Sequence, residues 1–147
     1  MGKKGAKRKQ AKGQQATGPM AALYRLDAGT PRGDAVRAVL AAQGIRVKTV
    51  TEDRLGDPVG AIAGLVGFRP SHAPYMGEVP ESEFMLLCNV PNALMNQLLA
   101  AMRAADCSVG CKAQLTQHNR LWPFAMLVGE VSREHELMTF PTSDSGR

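Results

Sequence analysis

Aromatic side chains are scarce in this chain, with one Trp, two Tyr and four Phe among 147 residues. An all-β sandwich built on aromatic packing is therefore disfavoured. Ala, Leu, Val and Met carry the apolar content, a mixture that suits helices laid on a small sheet. There is no run of ~18 apolar residues of the kind a membrane helix needs. Nor does the basic start lead into the ~7–15-residue apolar stretch of a secretory leader, because Gln10 to Gly18 is polar and small. Cysteine is limited to Cys88, Cys107 and Cys111. That odd number, in a chain long enough to build its own core, reads as reduced thiols in a cytoplasmic protein with no membrane association.

Acid is the other conspicuous absence. Residues 1–18 hold Lys3, Lys4, Lys7, Arg8, Lys9 and Lys12 and no carboxylate, a charge of +6. The remainder has twelve cations and thirteen anions, so the overall +5 and the pI near 9.4 belong to the tail. Like charges, interspersed glycines and no apolar periodicity predict that residues 1–19 stay disordered. Met20, directly after the tail, offers an alternative start of translation. Residues 20–140 then form a single domain, and 141–147 a frayed C-terminus.

Within that domain the pattern predicts a strand over 22–26 and a helix over 31–43. Thr30 is its N-cap, Pro31 its first position and Gly44 its left-handed stop. An alternating edge strand follows over 45–50. Residues 58–65 suit a short helix weakened by Gly60 and Gly64, and 67–80 read as a long loop. The wholly apolar run 83–89 is expected to be a central, buried strand. A helix over 91–105, a strand over 111–115 and a final helix over 121–138 complete the order.

The segment from Val36 to Thr51 weakly echoes that from Leu98 to Thr116, each reading as helix, small turn and alternating strand. Two such units predict an α+β, ferredoxin-like βαβ-βαβ sheet with an added C-terminal helix. A small, mostly parallel three-layer α/β domain is the alternative. The first and third strands are central in both.

Few residues assemble into a chemical signature. Cys107, Cys111 and His118 form C-x3-C-x6-H with a distant His135, which lacks the paired short spacings of structural zinc, so no metal is expected. Cys88, at the carboxyl end of the central strand, is placed where a nucleophile could sit, with His118 as its base. The simpler reading is a packed core thiol. The glycines from Gly56 to Gly67 match neither phosphate-cradling motif. Glu134-His135-Glu136 lacks the H-E-x-x-H spacing of a metalloprotease and reads as a solvated helix end.

The densest polar cluster is Thr116, Gln117, His118, Asn119 and Arg120, leading into Trp122. It joins a strand to a helix N-terminus, an arrangement that can receive an anion or a carboxylate. Capping by Asn119 and anchoring by Trp122 and Phe124 is the local alternative. The same stretch, Lys112 to Glu136, resembles a bacterial, mainly clostridial, family known as domain of unknown function 3783, and weaker similarity through residues 55–64 and 84–88 extends the resemblance over most of residues 22–138. Its pattern is a K-A-V-L-T strand, an Asn-bearing turn, a helix opened by Trp and an acidic end. Here these are Lys112, Ala113, Leu115, Thr116, Asn119, Trp122, Glu134, His135 and Glu136. Gln117 stands where that family often has Pro, and Cys107 and Cys111 are outside the pattern. The resemblance implies a family and no mechanism.

The expected function is a non-enzymatic protein-binding or regulatory module without a cofactor. Its contact residues would be Thr116, His118, Asn119, Arg120 and Trp122, and its protein partner is unidentified. The alternatives are an RNA- or ribosome-associated protein using Lys3, Lys4, Lys7, Arg8, Lys9 and Lys12, and a small enzyme centred on Cys88 or His118. The tail's cations would neutralise phosphates of RNA without sequence preference.

Overall fold

The computed structural model describes residues 18–71 and 73–145, with side chains as far as His135. The six tail cations, Lys3 to Lys12, lie outside the described residues. The elements run β1 (Met20–Tyr24), α1 (Pro31–Ala42), β2 (Arg46–Val50), α2 (Val59–Ala63), β3 (Phe84–Cys88), α3 (Asn92–Ala104), β4 (Lys112–Gln114) and α4 (Phe124–Ser145). Two 3-10 turns, Glu52–Arg54 and Asn119–Leu121, precede α2 and α4. The four strands form one mixed sheet of order β2-β1-β3-β4.

The mixed α/β class and the central placement of the first and third strands agree with the sequence. The finer ferredoxin-like topology does not. In a split βαβ unit another strand separates the two strands of a unit. Here β1 pairs in parallel with its own β2, β3 pairs in parallel with its own β4, and the units join through the antiparallel pair β1–β3. The alternative three-layer arrangement describes the packing better. Ala21, Leu23, Met85 and Leu87 pack under α1 and α3 on one face, with Val36, Leu40, Leu98 and Met102. Ala22, Tyr24, Phe84 and Leu86 face the other way, against Leu55, Val59, Ile62, Phe124 and Val128. Covered on both faces, β1 and β3 are buried at every position, which is why their sequences show no polar alternation.

The two units are related by an internal two-fold axis through the sheet. The β1–β3 register, Met20 opposite Cys88, Ala22 opposite Leu86 and Tyr24 opposite Phe84, maps onto itself when the units exchange. Each first strand ends in a left-handed residue, Arg25 (φ 64°) and Asn89 (φ 60°). Each helix turns the same buried face inward, Val36 and Leu40 in α1, Leu98 and Met102 in α3. Both then stop at left-handed residues, Gly44 (φ 75°) and Asp106 (φ 58°). The following amide closes the end in each case: Ile45 N–H donates to the Leu40 carbonyl at 3.0 Å, and Cys107 N–H to the Met102 carbonyl at 2.9 Å.

Local chemistry sets these boundaries. The Thr30 hydroxyl accepts from Gly33 N–H, and Pro31 occupies the first turn of α1. The strand expected over 22–26 runs instead over Met20–Tyr24, because Arg25 turns left-handed and ends it. The helix expected from Leu121 begins at Phe124, because residues 119–121 form a 3-10 turn and Trp122 is extended.

Candidate functional site

The Thr116–Trp122 turn leaves the edge strand β4 and runs back beneath the sheet to the two-fold axis. Its counterpart, Thr51–Asp57, leaves β2 and does the same. The two chains meet at an antiparallel bridge between Pro58 and Pro123. Val59 N–H donates to the Trp122 carbonyl and Phe124 N–H to the Asp57 carbonyl, both at 2.8 Å. These reciprocal bonds obey the same two-fold symmetry as the sheet. Phe124 enters the core there, with its ring edge-on to Tyr24 and Phe84 at centroid distances of 6.0 and 5.6 Å.

Two buried polar residues hold the two turns, and they do so differently. Asn119, 8% exposed, accepts from Thr116 N–H at 2.9 Å and donates through Nδ2 to the Gln114 carbonyl at 2.9 Å. Its own N–H donates to the Thr116 hydroxyl at 2.9 Å. Every polar group of the Asn119 side chain is thereby used locally, so Asn119 holds the turn's shape from within. Asp57, 1% exposed, pairs with Arg54 and accepts from Ser71 N–H at 2.7 Å, which pins the start of the long loop. The other end of that loop is tied by Tyr24 Oη donating to the Pro80 carbonyl at 2.6 Å and by a two-pronged Arg32–Glu83 pair. Burial pushes the Tyr24 phenol above its ordinary range, and the adjoining Arg25 acts against that.

The remaining members of the predicted cluster divide, with Trp122 packed against the core below the sheet and the others nearer the surface. Thr116, Gln117 and His118 are exposed, and the His118 ring meets the half-buried Trp122 edge-on at 5.4 Å. Arg120 is half-buried, with its guanidinium 5.8 Å from the centre of the Phe68 ring. Its Nε is enclosed without a hydrogen-bond partner among the described residues. Phe68 lies flat against Gly60 of α2, where a Cβ would come within 2.7 Å of the ring. The structure thus brings Thr116, His118, Asn119, Arg120 and Trp122 together in one turn, and adds Phe68, Val66 and Leu121. Leu121, next in sequence to Arg120, and Val66, two residues before Phe68, stand 66% and 68% exposed. Sequence reasoning missed these three. The available signal was the repeat of Thr51 and Pro58 at Thr116 and Pro123, which pairs the two turns.

The thiols are placed differently from the turn. Cys88 is buried at the end of β3, and desolvation pushes its thiol up to about 12 despite the nearby Lys48 and Arg46. Lys48 is half-buried on β2 and donates to the Ile62 carbonyl at 2.8 Å, with its pKa lowered by that burial. Cys107 and Cys111 are buried as well, and all three cysteines are free. Among the described residues no three His, Cys, Asp or Glu side chains gather in the manner of a metal site, and no helix is long and apolar enough to cross a membrane.

No curated protein and no solved structure matches the chain. The model of the family described as "Domain of unknown function (DUF3783)" matches residues 83–138. The match opens one residue before β3 and takes in α3, β4, the Asn119 turn and the first turns of α4. It therefore covers the second of the two symmetry-related units. The similarity to the DUF3783 family is thus carried by residues 83–138.

Proposed function

We propose that the domain is a non-enzymatic protein-binding or regulatory module, and that the Thr116–Trp122 turn with the adjoining Val66–Phe68 segment is its contact surface. One observation carries this reading: Leu121 stands 66% exposed on the turn that Asn119 locks, with Val66, 68% exposed, in the segment that leads to Phe68. A turn locked by Asn119 loses little further freedom on association, so its exposed side chains act as pre-organised anchors. His118, Arg120 and Trp122 supply the polar rim and an aromatic edge beside them. The high thiol pKa and burial of Cys88 favour this reading over a thiol-based enzyme, since the thiolate is the nucleophile. Three unpaired cysteines support a reducing, cytoplasmic setting.

Affinity capture with the full chain tests the proposal. A partner recovered by the unaltered chain should be lost with Leu121→Ser combined with Val66→Ser, and weakened by His118→Ala plus Arg120→Ala. Undiminished recovery with both double variants rejects the surface. A second reading, RNA association, rests on the six acid-free cations between Lys3 and Lys12. It requires RNA binding that falls steeply with salt and disappears when residues 1–17 are removed.

A further inference from the structure

The internal symmetry offers a template for reading an open notch in the second unit. In the first unit Arg37 of α1 reaches down to the sheet end. Its Nε and Nη2 donate to the Leu26 carbonyl at 3.2 and 2.9 Å, and Nη2 donates to the Thr49 hydroxyl at 2.8 Å. The symmetry-related positions are Leu99 for Arg37, Val90 for Leu26 and Gln114 for Thr49. Leucine cannot make those bonds. Among the described residues the Val90 carbonyl receives no hydrogen bond, and a cavity of about 460 Å³ opens there. Leu87, Asn89, Val90, Pro91, Gln114 and Leu115 line it. In the first unit a hollow beside Arg25, Asp27 and Val50 has about 140 Å³.

A second hollow of about 330 Å³ shares Leu87 and Gln114 with it and is also lined by Met95, Leu99, Ala113 and Lys112, whose ammonium donates to the Val109 carbonyl at 3.0 Å. An arginine has the matching composition. Its aliphatic stem would lie on Met95 and Leu99, and its fork would reach the Val90 carbonyl and the Gln114 amide oxygen. A lysine of similar length lacks the fork that spans two acceptors.

We propose that this notch binds an arginine side chain presented by a partner protein segment, in the position that Arg37 fills in the first unit. The notch adjoins the Thr116 turn through Gln114, whose carbonyl Asn119 holds. Its occupant would therefore sit beside the surface assigned above. The guanidinium chemistry stands on the symmetry and the cavity; that the arginine comes from a partner rests on the protein-binding reading.

The test is a titration of the isotope-labelled full chain with N-acetyl-arginine methylamide, followed by amide chemical shifts. Saturable shifts at Asn89, Val90 and Gln114 are expected with a dissociation constant on the order of 1 mM. The lysine analogue should bind at least about tenfold more weakly. No saturable shift, or equal binding of the lysine analogue, overturns the proposal. Leu99→Arg should abolish the response by filling the notch from within, while Leu99→Met should retain it. Should Leu99→Arg fail to fold, Gln114→Ala serves instead and should weaken binding several-fold; an unchanged constant overturns the assignment. If Arg8→Ala in the probe-free full chain moves these same amides, the notch belongs to the chain's own Arg8 and a partner source is overturned. The Leu121→Ser, Val66→Ser variant should bind the probe normally, which separates this result from failure of the contact surface.

Discussion

The two halves of this domain share one backbone plan and differ in what they do with it. The first half closes on itself. Arg37 fills the space at the sheet end, and Lys48 donates to the Ile62 carbonyl near the end of α2. That helix has five residues and stops at Gly64 (φ 79°). In the second half Leu99 replaces Arg37, Ala113 replaces Lys48, and α4 continues through Gly129 for 22 residues. The first half therefore spends its long polar side chains on intramolecular bonds, whereas the second leaves a notch and an exposed turn. The family match falls on that second half. The two units thus share a hydrophobic plan and differ in which side chains close it.

The sharpest way to break the comparison is Gly33→Ala. A Cβ at Gly33 would stand 1.9 Å from the Asp27 carbonyl oxygen, so the backbone itself must move. Its symmetry mate Met95 carries a full side chain into the same core. Denaturant unfolding should give a loss of about 4 kcal/mol for Gly33→Ala and about 2 kcal/mol for Met95→Ala. If the two losses are equal, the first unit's tighter entry loop does not constrain α1.

Next in size are the two turn locks. Asp57→Ala strands Arg54 and frees Ser71 N–H, and should cost about 3 kcal/mol. Asn119→Ala leaves Thr116 N–H and the Gln114 carbonyl unpaired, and should cost about 2 kcal/mol. Unfolding curves of both variants, measured together, rank the charged lock against the neutral one.

A pH profile separates the sheet ends. The folded Cys88 thiol is pushed from 9.0 up to about 12, so the native state holds its proton after the unfolded chain has released it. The associated stability is present below pH 9 and is lost as pH rises from there toward 12. Cys88→Ala should flatten that decline in thermal scans. Maleimide labelling of the native chain at neutral pH should accordingly be slow at Cys88.

The smallest expected effect is a gain. Asp106 holds the left-handed position that Gly44 holds in the first half, at some steric cost to a side chain. Asp106→Gly should raise stability by up to about 1 kcal/mol, read as a higher midpoint of unfolding.

Much of this was legible in the chain itself. The Thr30-Pro31 start and Gly44 stop of α1 are local signals, each satisfied by atoms within a few residues. The apolar runs at β1 and β3 carried their burial on both faces, and their central positions followed. Thr116 to Trp122 was visible as a polar cluster because it interrupts apolar elements. The strand order was not legible, since split and unsplit βαβ pairs use the same element sequence and the same central strands. Only the pairing of β2 with β1 and of β4 with β3 separates them, and that depends on contacts between distant residues. Arg120 over Phe68, Asp57 under Ser71 and the Pro58–Pro123 bridge are likewise meetings across long stretches of chain.

By itself the sequence determined the elements, their caps, the buried strands and the charge separation between tail and domain, because short-range hydrogen bonding and apolar periodicity decide those. Only the tertiary structure decided that the two units meet about a two-fold axis, that Asn119 faces inward while Leu121 faces out, and that Leu99 leaves open what Arg37 closes. Those outcomes depend on which side chain meets which across the sheet, and no local pattern encodes that.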